Sequence, residues 1–170
     1  IDLSSAADAV ADAPKCALVR EFTDQPHSAS VRTVQYSPNG RMLASGGRDN
    51  VVKLWEVSTG KCRTTIRAHR DWVVRLAFSP DGRRLATASF DFTSQIIDVR
   101  SGKTLHTLSG HLGAVSGVMF VGATGDKLAT ASLDGSVRLW AADTGAPITT
   151  MSAHTDMVTD LAGCGVGAAG

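Results

Sequence analysis

His69-Arg70-Asp71-Trp72-Val73-Val74-Arg75-Leu76-Ala77-Phe78-Ser79-Pro80-Asp81-Gly82, continued by Leu85-Ala86-Thr87-Ala88-Ser89-Phe90-Asp91, is one copy of a pattern that returns along the chain, and the architecture follows from that recurrence. Its opening histidine recurs as His27, His69, His111 and His154, at separations of 42, 42 and 43 residues. After it, Val31 to Tyr36, Val73 to Phe78 and Val115 to Phe120 carry the alternation of half-buried strands. Leu43-Ala44-Ser45-Gly46-Gly47-Arg48-Asp49 and Leu128-Ala129-Thr130-Ala131-Ser132-Leu133-Asp134 then answer the run from Leu85 to Asp91. Each aspartate stands six residues ahead of Trp55, Ile97 or Trp140.

Within a unit the chain turns back on itself three times. Ser37-Pro38-Asn39-Gly40 has proline second and glycine fourth, a tight-turn arrangement repeated by Ser79-Pro80-Asp81-Gly82 and replaced by Gly122-Ala123-Thr124-Gly125 in the third unit. Arg48-Asp49-Asn50 leads into Val51-Val52-Lys53-Leu54-Trp55, and Ser58-Thr59-Gly60-Lys61 into a fourth strand. Units of about 40 residues built from four short antiparallel strands predict an all-β fold of β-propeller blades. The expected units are 27–68, 69–110 and 111–153, with 154–170 the start of a truncated fourth. Residues 15–26 are expected to be the last strand of a preceding blade and 1–14 a loop or linker, so the chain reads as an excerpt of a longer polypeptide.

Composition removes several function classes. Apolar residues make up 43% and charged residues 19%, as in ordinary globular proteins, and the net charge of +1 gives no bulk attraction to nucleic acid or an anionic membrane. Cys16, Cys62 and Cys164 are odd in number and far apart, which argues against a disulfide framework or a zinc knuckle. No apolar run approaches the roughly 18 residues of a membrane span. Neither cofactor nor metal is expected, and the location is read as intracellular and cytoplasmic, with a nuclear or cytoskeletal assembly as the variant.

In these registers the chain resembles the Trp-Asp repeat family of β-propellers, from about Lys15 to Leu161. The dipeptide itself is absent: its positions read Trp55-Glu56, Ile97-Asp98 and Trp140-Ala141. The resemblance implies that each blade is fastened by a buried series of histidine, a hydroxyl two residues before the turn aspartate, that aspartate, and tryptophan. Mapped here, it covers His27, Asp49 and Trp55, then His69, Ser89 and Asp91, then His111, Ser132, Asp134 and Trp140. Gly47 lacks the hydroxyl and Ile97 the indole, so the third blade is expected to be the best fastened.

Histidines with aspartates 22 or 23 residues downstream could suggest metal ligation or acid/base chemistry. A catalytic site is unique, whereas this pair recurs in every unit, which turns it into an argument against catalysis. Ser89 and Ser132 lack a nucleophile elbow, and Gly46-Gly47 lacks the lysine of a phosphate loop.

The resemblance also implies a partner-binding face, lined by the residue before the turn aspartate and by those three and five after the histidine. In the first two units these positions offer Arg32, Arg48, Trp72 and Phe90, residue types that dominate interface hot spots. The bland alternative has Trp72 capping its own blade and Phe90 filling a gap beside Phe92. Arg63, Arg67, Arg70, Arg75, Arg83 and Arg84 suggest an acidic partner, phosphopeptide or RNA, with solvated strand edges as the simpler reading.

The expected function is a non-enzymatic scaffold binding other proteins in a multi-subunit assembly. The alternatives are a substrate-recognition subunit of a ubiquitin ligase and, from another class, a propeller hydrolase. An open stack would bare a few hundred Å² of apolar surface at each end, on the order of 10 kcal/mol per face. A ring of about seven blades is therefore expected, completed by the same polypeptide or by another subunit.

Overall fold

A computed structural model describes residues 20–152 and 156–161. The described residues hold twelve strands and no helix: β1 (Val31–Tyr36), β2 (Met42–Gly47), β3 (Val52–Glu56), β4 (Cys62–Ile66), β5 (Val73–Phe78), β6 (Arg84–Ser89), β7 (Ser94–Asp98), β8 (Thr104–Leu108), β9 (Val115–Val121), β10 (Lys127–Ser132), β11 (Val137–Ala141) and β12 (Pro147–Met151). They form three antiparallel sheets, each meandering through four consecutive strands. These are propeller blades. Among the described residues there is accordingly no helix long and apolar enough to cross a membrane.

The three sheets share a register. Leu43 pairs with Trp55, Leu85 with Ile97 and Leu128 with Trp140. Each sheet is irregular where its first two strands begin to pair and again where its third strand meets its fourth, at Leu54/Trp55, Ile96/Ile97 and Leu139/Trp140. Bulges at repeated places increase local twist, as a radial array requires.

The core lies between sheets. Leu54, Val52, Ile66 and Val73 pack with Leu85 and Ile97 between the first and second blades. Ile96, Leu108, Val115 and Val118 pack with Leu128 and Trp140 between the second and third. Innermost strands β1, β5 and β9 are neighbours in succession. Small residues allow this approach: a Cβ on Gly46 would stand 2.7 Å from Val73 Cγ1. At the outer faces of the stack, among the described residues, Val34 and Tyr36 of β1 and Ile148 and Met151 of β12 are about half exposed.

Of the segment 15–26, expected above to be the last strand of a preceding blade, residues 20–26 are described and lie outside any strand. A strand needs a ladder partner, and this stretch is held instead by contacts to the first blade. The Asp24 carboxylate accepts the Cys62 N–H at 3.0 Å, and the Phe22 ring meets Trp55 edge-on at 5.9 Å between centroids. The remainder of that expected strand, the expected 1–14 linker, His154 and residues 162–170 lie outside the described residues.

Candidate interaction face

Each blade carries a hydrogen-bonded relay across its strands. In the third, the Trp140 indole N–H donates to Thr130 Oγ1 at 2.9 Å, that hydroxyl lies 2.8 Å from His111 Nε2, and His111 Nδ1 lies 3.0 Å from the Asp134 carboxylate. In the first, Trp55 donates to Ser45 Oγ at 2.8 Å, Ser45 meets His27 Nε2 at 2.7 Å, and His27 Nδ1 meets Asp49 at 2.8 Å. A neutral imidazole with its proton on Nδ1 satisfies every member, since the hydroxyl then donates to Nε2 and accepts from the indole.

The relay hydroxyl therefore stands four residues before the aspartate, at Ser45, Thr87 and Thr130, rather than two before it. Gly47 does not interrupt the first blade, because the hydroxyl it lacks is not the linking one. Ser89 and Ser132 do another job: each accepts its aspartate's N–H at 3.1 Å and donates to a carbonyl in the loop after the histidine, Asp71 at 3.1 Å and Gly113 at 3.0 Å. The second blade has no indole. There Thr87 Oγ1 lies 2.6 Å from His69 Nε2 and accepts the Gln95 N–H at 3.2 Å, while Ile97 fills the tryptophan's place in the core.

Asp91 and Asp134 receive additional donors. Burial acts to raise both carboxyl pKa values, but it is outweighed, and both are held far below the usual carboxylate range. For Asp91 the lowering comes from hydrogen bonds of His69, Thr93 and the Arg70 N–H; for Asp134 it comes from Ser136, the Leu112 and Ser136 N–H groups, and His111. Burial lowers the His111 pKa below its ordinary 6.5, and Arg138 adds to this against the pull of Asp134. Val51 stands where Thr93 and Ser136 supply a hydroxyl, so only the third relay combines that hydroxyl with an indole.

The relays are closed to substrates. Side-chain exposure of the His-Asp pairs is 4% and 6%, 0% and 12%, and 1% and 11% in blade order. Among the described residues no group of three or more His, Cys, Asp or Glu side chains could hold a metal ion.

The turns that hold these aspartates build a face at one end of the blades. Arg48 N–H donates to the Ser30 carbonyl at 2.9 Å and Phe90 N–H to the Trp72 carbonyl at 3.0 Å, which sets the expected face residues side by side within each blade. Between blades, the Arg48 guanidinium lies 4.2 Å from the Trp72 ring, and Trp72 stacks on Phe90 with centroids 5.5 Å apart and planes at 25°. Phe90 also borders a cavity of about 270 Å³ together with Arg32, Val74, Arg75, Ser116 and Leu133. Arg32, Arg48, Trp72 and Phe90 thus fall on one continuous surface.

The other arginines have mixed duties. Arg75 pairs with Asp160 at 2.5 Å, and Arg84 bridges to the third blade through Asp143 at 2.6 Å and the Gly125 carbonyl at 2.9 Å. Sequence reasoning placed Arg84 on a solvated edge; packing against Phe120, 5.5 Å from its guanidinium, puts it between blades instead.

Four-stranded sheets stacked by their innermost strands and tied by His-Ser/Thr relays define a β-propeller of the repeat class. The family model "WD domain, G-beta repeat" matches residues 17–56, 60–98 and 102–141. The chain belongs to this WD40 repeat family. Each downstream match runs from the last strand of one sheet through three strands of the next, so sequence repeats staple neighbouring blades.

Among solved structures, U3-55K is similar at a TM-score of 0.76 and 27% identity, over 80% of this chain and 43% of that one. Nuclear distribution protein PAC1 of Fusarium vanettenii is 42% identical over 55 residues, 28% of this chain and 12% of that protein. Ribosome biogenesis protein BOP1 of Rattus norvegicus is 49% identical over 41 residues, 24% of this chain and 6% of that protein. The matched stretch is thus a small part of each curated relative's length.

Proposed function

We propose that this chain is a non-enzymatic scaffold whose blades present the Arg32, Arg48, Trp72 and Phe90 face to protein partners in a multi-subunit assembly inside the cell. The observation that carries the reading is the Arg48-Trp72-Phe90 ladder, which crosses two blades and combines contact area with a cationic group. Burial of every His-Asp pair supports a role for them as fasteners rather than acid/base groups. Relatives named for nuclear distribution and ribosome biogenesis support an intracellular assembly.

The units 27–68, 69–110 and 111–153 are, in this reading, three blades of a ring of about seven, completed by further blades of the same polypeptide or by another subunit. The half-exposed apolar residues of β1 and β12 support this, since an interior blade buries both faces.

Trp72→Ala combined with Arg48→Ala, followed by cross-linking and mass spectrometry of captured proteins, tests the reading. The expected result is loss of partners at an unchanged unfolding temperature. An unchanged set of partners from a folded variant overturns it.

A further inference from the structure

The first two blades turn between their first two strands with the same geometry and one different group. Ser37-Pro38-Asn39-Gly40 and Ser79-Pro80-Asp81-Gly82 each close on a bond from the glycine N–H to the serine carbonyl, 2.8 Å in both, with the glycine φ at 69° and 70°. Asn39 Oδ1 accepts the Ser37 hydroxyl at 2.8 Å and the Arg41 N–H at 3.0 Å. Asp81 Oδ1 accepts the Ser79 hydroxyl at 2.5 Å and the Arg83 N–H at 3.0 Å. Both bonds to Asn39 use the oxygen, which a carboxylate also has, and the amide nitrogen is left out of them. The second turn is therefore the first with an acid in place of the amide.

Asn39 is also the more reactive of the chain's two asparagines. Asparagine is chemically labile because the main-chain nitrogen that follows it can displace ammonia from its carboxamide. Glycine, having no Cβ, shields that nitrogen least. Asn39 and Gly40 are exposed, and a Cβ on Gly40 would meet nothing within 4 Å. Asn50 supplies the contrast: it is partly buried, its Nδ2 donates to the Arg70 carbonyl at 3.1 Å, and the β-branched Val51 follows it.

We propose that Asn39 is a site of spontaneous modification, which the folded turn retards and whose aspartate product the turn accepts. In the reaction the Gly40 nitrogen, its proton taken by solvent base, bonds to Asn39 Cγ. The Cγ–Nδ2 bond breaks and ammonia leaves with a proton returned from solvent, closing a succinimide. Water then cleaves one of the two ring C–N bonds, giving aspartate or, with the main chain running through the side-chain carbon, isoaspartate. Nothing is oxidised or reduced.

The folded turn delays the first step because the Gly40 N–H is committed to the Ser37 carbonyl and the carboxamide oxygen to Ser37 and Arg41, so the turn must open before nitrogen meets Cγ. It accepts aspartate because Asp81 makes the same bonds as a carboxylate. Burial acts to raise the Asp81 pKa, but the Ser79 hydroxyl, the Arg83 N–H and the charges of Arg84 and Arg83 outweigh it, and that carboxyl stays ionised. Conversion of Asn39 thus puts a negative charge beside a cavity of about 440 Å³ that it shares with Arg41, Glu56, Ser58 and Arg63, at the end of the blade opposite the Arg48 turn.

The test is peptide mapping by mass spectrometry after incubation at mildly alkaline pH and body temperature, with the protein folded or in unfolding urea. Asn39 is expected to convert in the folded protein while Asn50 does not, at a rate at least about tenfold below that in urea. Ser37→Ala removes one of the two donors that hold the carboxamide, so it should raise the folded rate about threefold or more and leave the urea rate unchanged. Asn39→Asp should unfold at the parent's temperature.

A folded protein intact at Asn39 when the urea sample has converted fully, equal folded and urea rates, or Asn50 converting as fast as Asn39 overturns the proposal. These comparisons use the parent sequence and stand even where Ser37→Ala does not fold. A folded Ser37→Ala variant that converts at the parent's rate, or an Asn39→Asp variant that unfolds earlier than the parent, overturns it as well.

Discussion

Trp140 and His111 are joined through a single atom: Thr130 Oγ1 accepts the indole N–H at 2.9 Å and lies 2.8 Å from the imidazole Nε2. Removing that hydroxyl leaves two buried polar groups unpaired, the indole N–H on β11 and the imidazole Nε2 in the loop ahead of β9. Thr130→Val keeps the shape and should destabilise by about 1–3 kcal/mol, whereas Thr130→Ser should cost less than about 1. Asp134→Ala, which orphans His111 and the Leu112 and Ser136 amides, should cost about 1–3 kcal/mol as well. Urea unfolding measures all three, and a Thr130→Val midpoint equal to the parent's would remove the relay from the account of stability.

The relay also explains what the sequence could and could not convey. Strands, turns and blade count were legible because alternation and turn residues recur at one period. The linking hydroxyl was misplaced because Ser45 and Gly47, Thr87 and Ser89, or Thr130 and Ser132 are two apart, so strand periodicity cannot choose between them. Strand register chooses. Leu128 pairs with Trp140, which brings the indole within reach of Thr130 and leaves Ser132 at the turn. A signal was available, since of the two candidate columns, two and four before the aspartate, only the latter carries a hydroxyl in all three units. The Arg48-Trp72 contact joins separate blades, so the sequence could nominate both residues but not bring them together.

Acid should unfold the protein in two stages. The His111 pKa is below 6.5 when folded, so below pH 6.5 the unfolded chain binds the extra proton and stability falls with falling pH. Asp91 and Asp134 are depressed below 3.8, so their contribution is complete above that pH and is lost as pH drops through their folded values. Both effects have the same sign. Urea midpoints between pH 7.5 and pH 1.5, with an NMR titration of His111, would check them; a His111 midpoint above 6.5 would contradict the assignment.

At the first blade interface, Gly46 should not tolerate a methyl group. Its Cβ would lie 2.7 Å from Val73 Cγ1 and 3.2 Å from Thr33 Cγ2, both on β-branched side chains of adjacent strands. Ala88 and Ala131 occupy the matching places in the other blades, so the crowding is specific to the first pair. Gly46→Ala is expected to cost about 1–3 kcal/mol, and Val73→Ala in the same chain should recover part of it. Thermal unfolding of the single and double variants measures the coupling. Additive losses would mean that the two residues do not meet.

Arg84 joins the second and third blades through groups of unequal exposure, and that inequality predicts which contact matters. Asp143, its ion-pair partner, is 76% exposed on its side chain, where such a pair contributes about 0.2–1 kcal/mol at most. The Arg84 side chain is only 16% exposed, donates to the Gly125 carbonyl at 2.9 Å and lies over Phe120. Loss of that bond and of the packed stem should make Arg84→Ala cost about 1–2 kcal/mol. Asp143→Asn should cost less than about 0.5 kcal/mol and lose its effect in high salt, while the Arg84→Ala deficit persists. Equal costs for the two variants at low salt would mean that the exposed ion pair, not the buried side of the guanidinium, holds these blades together.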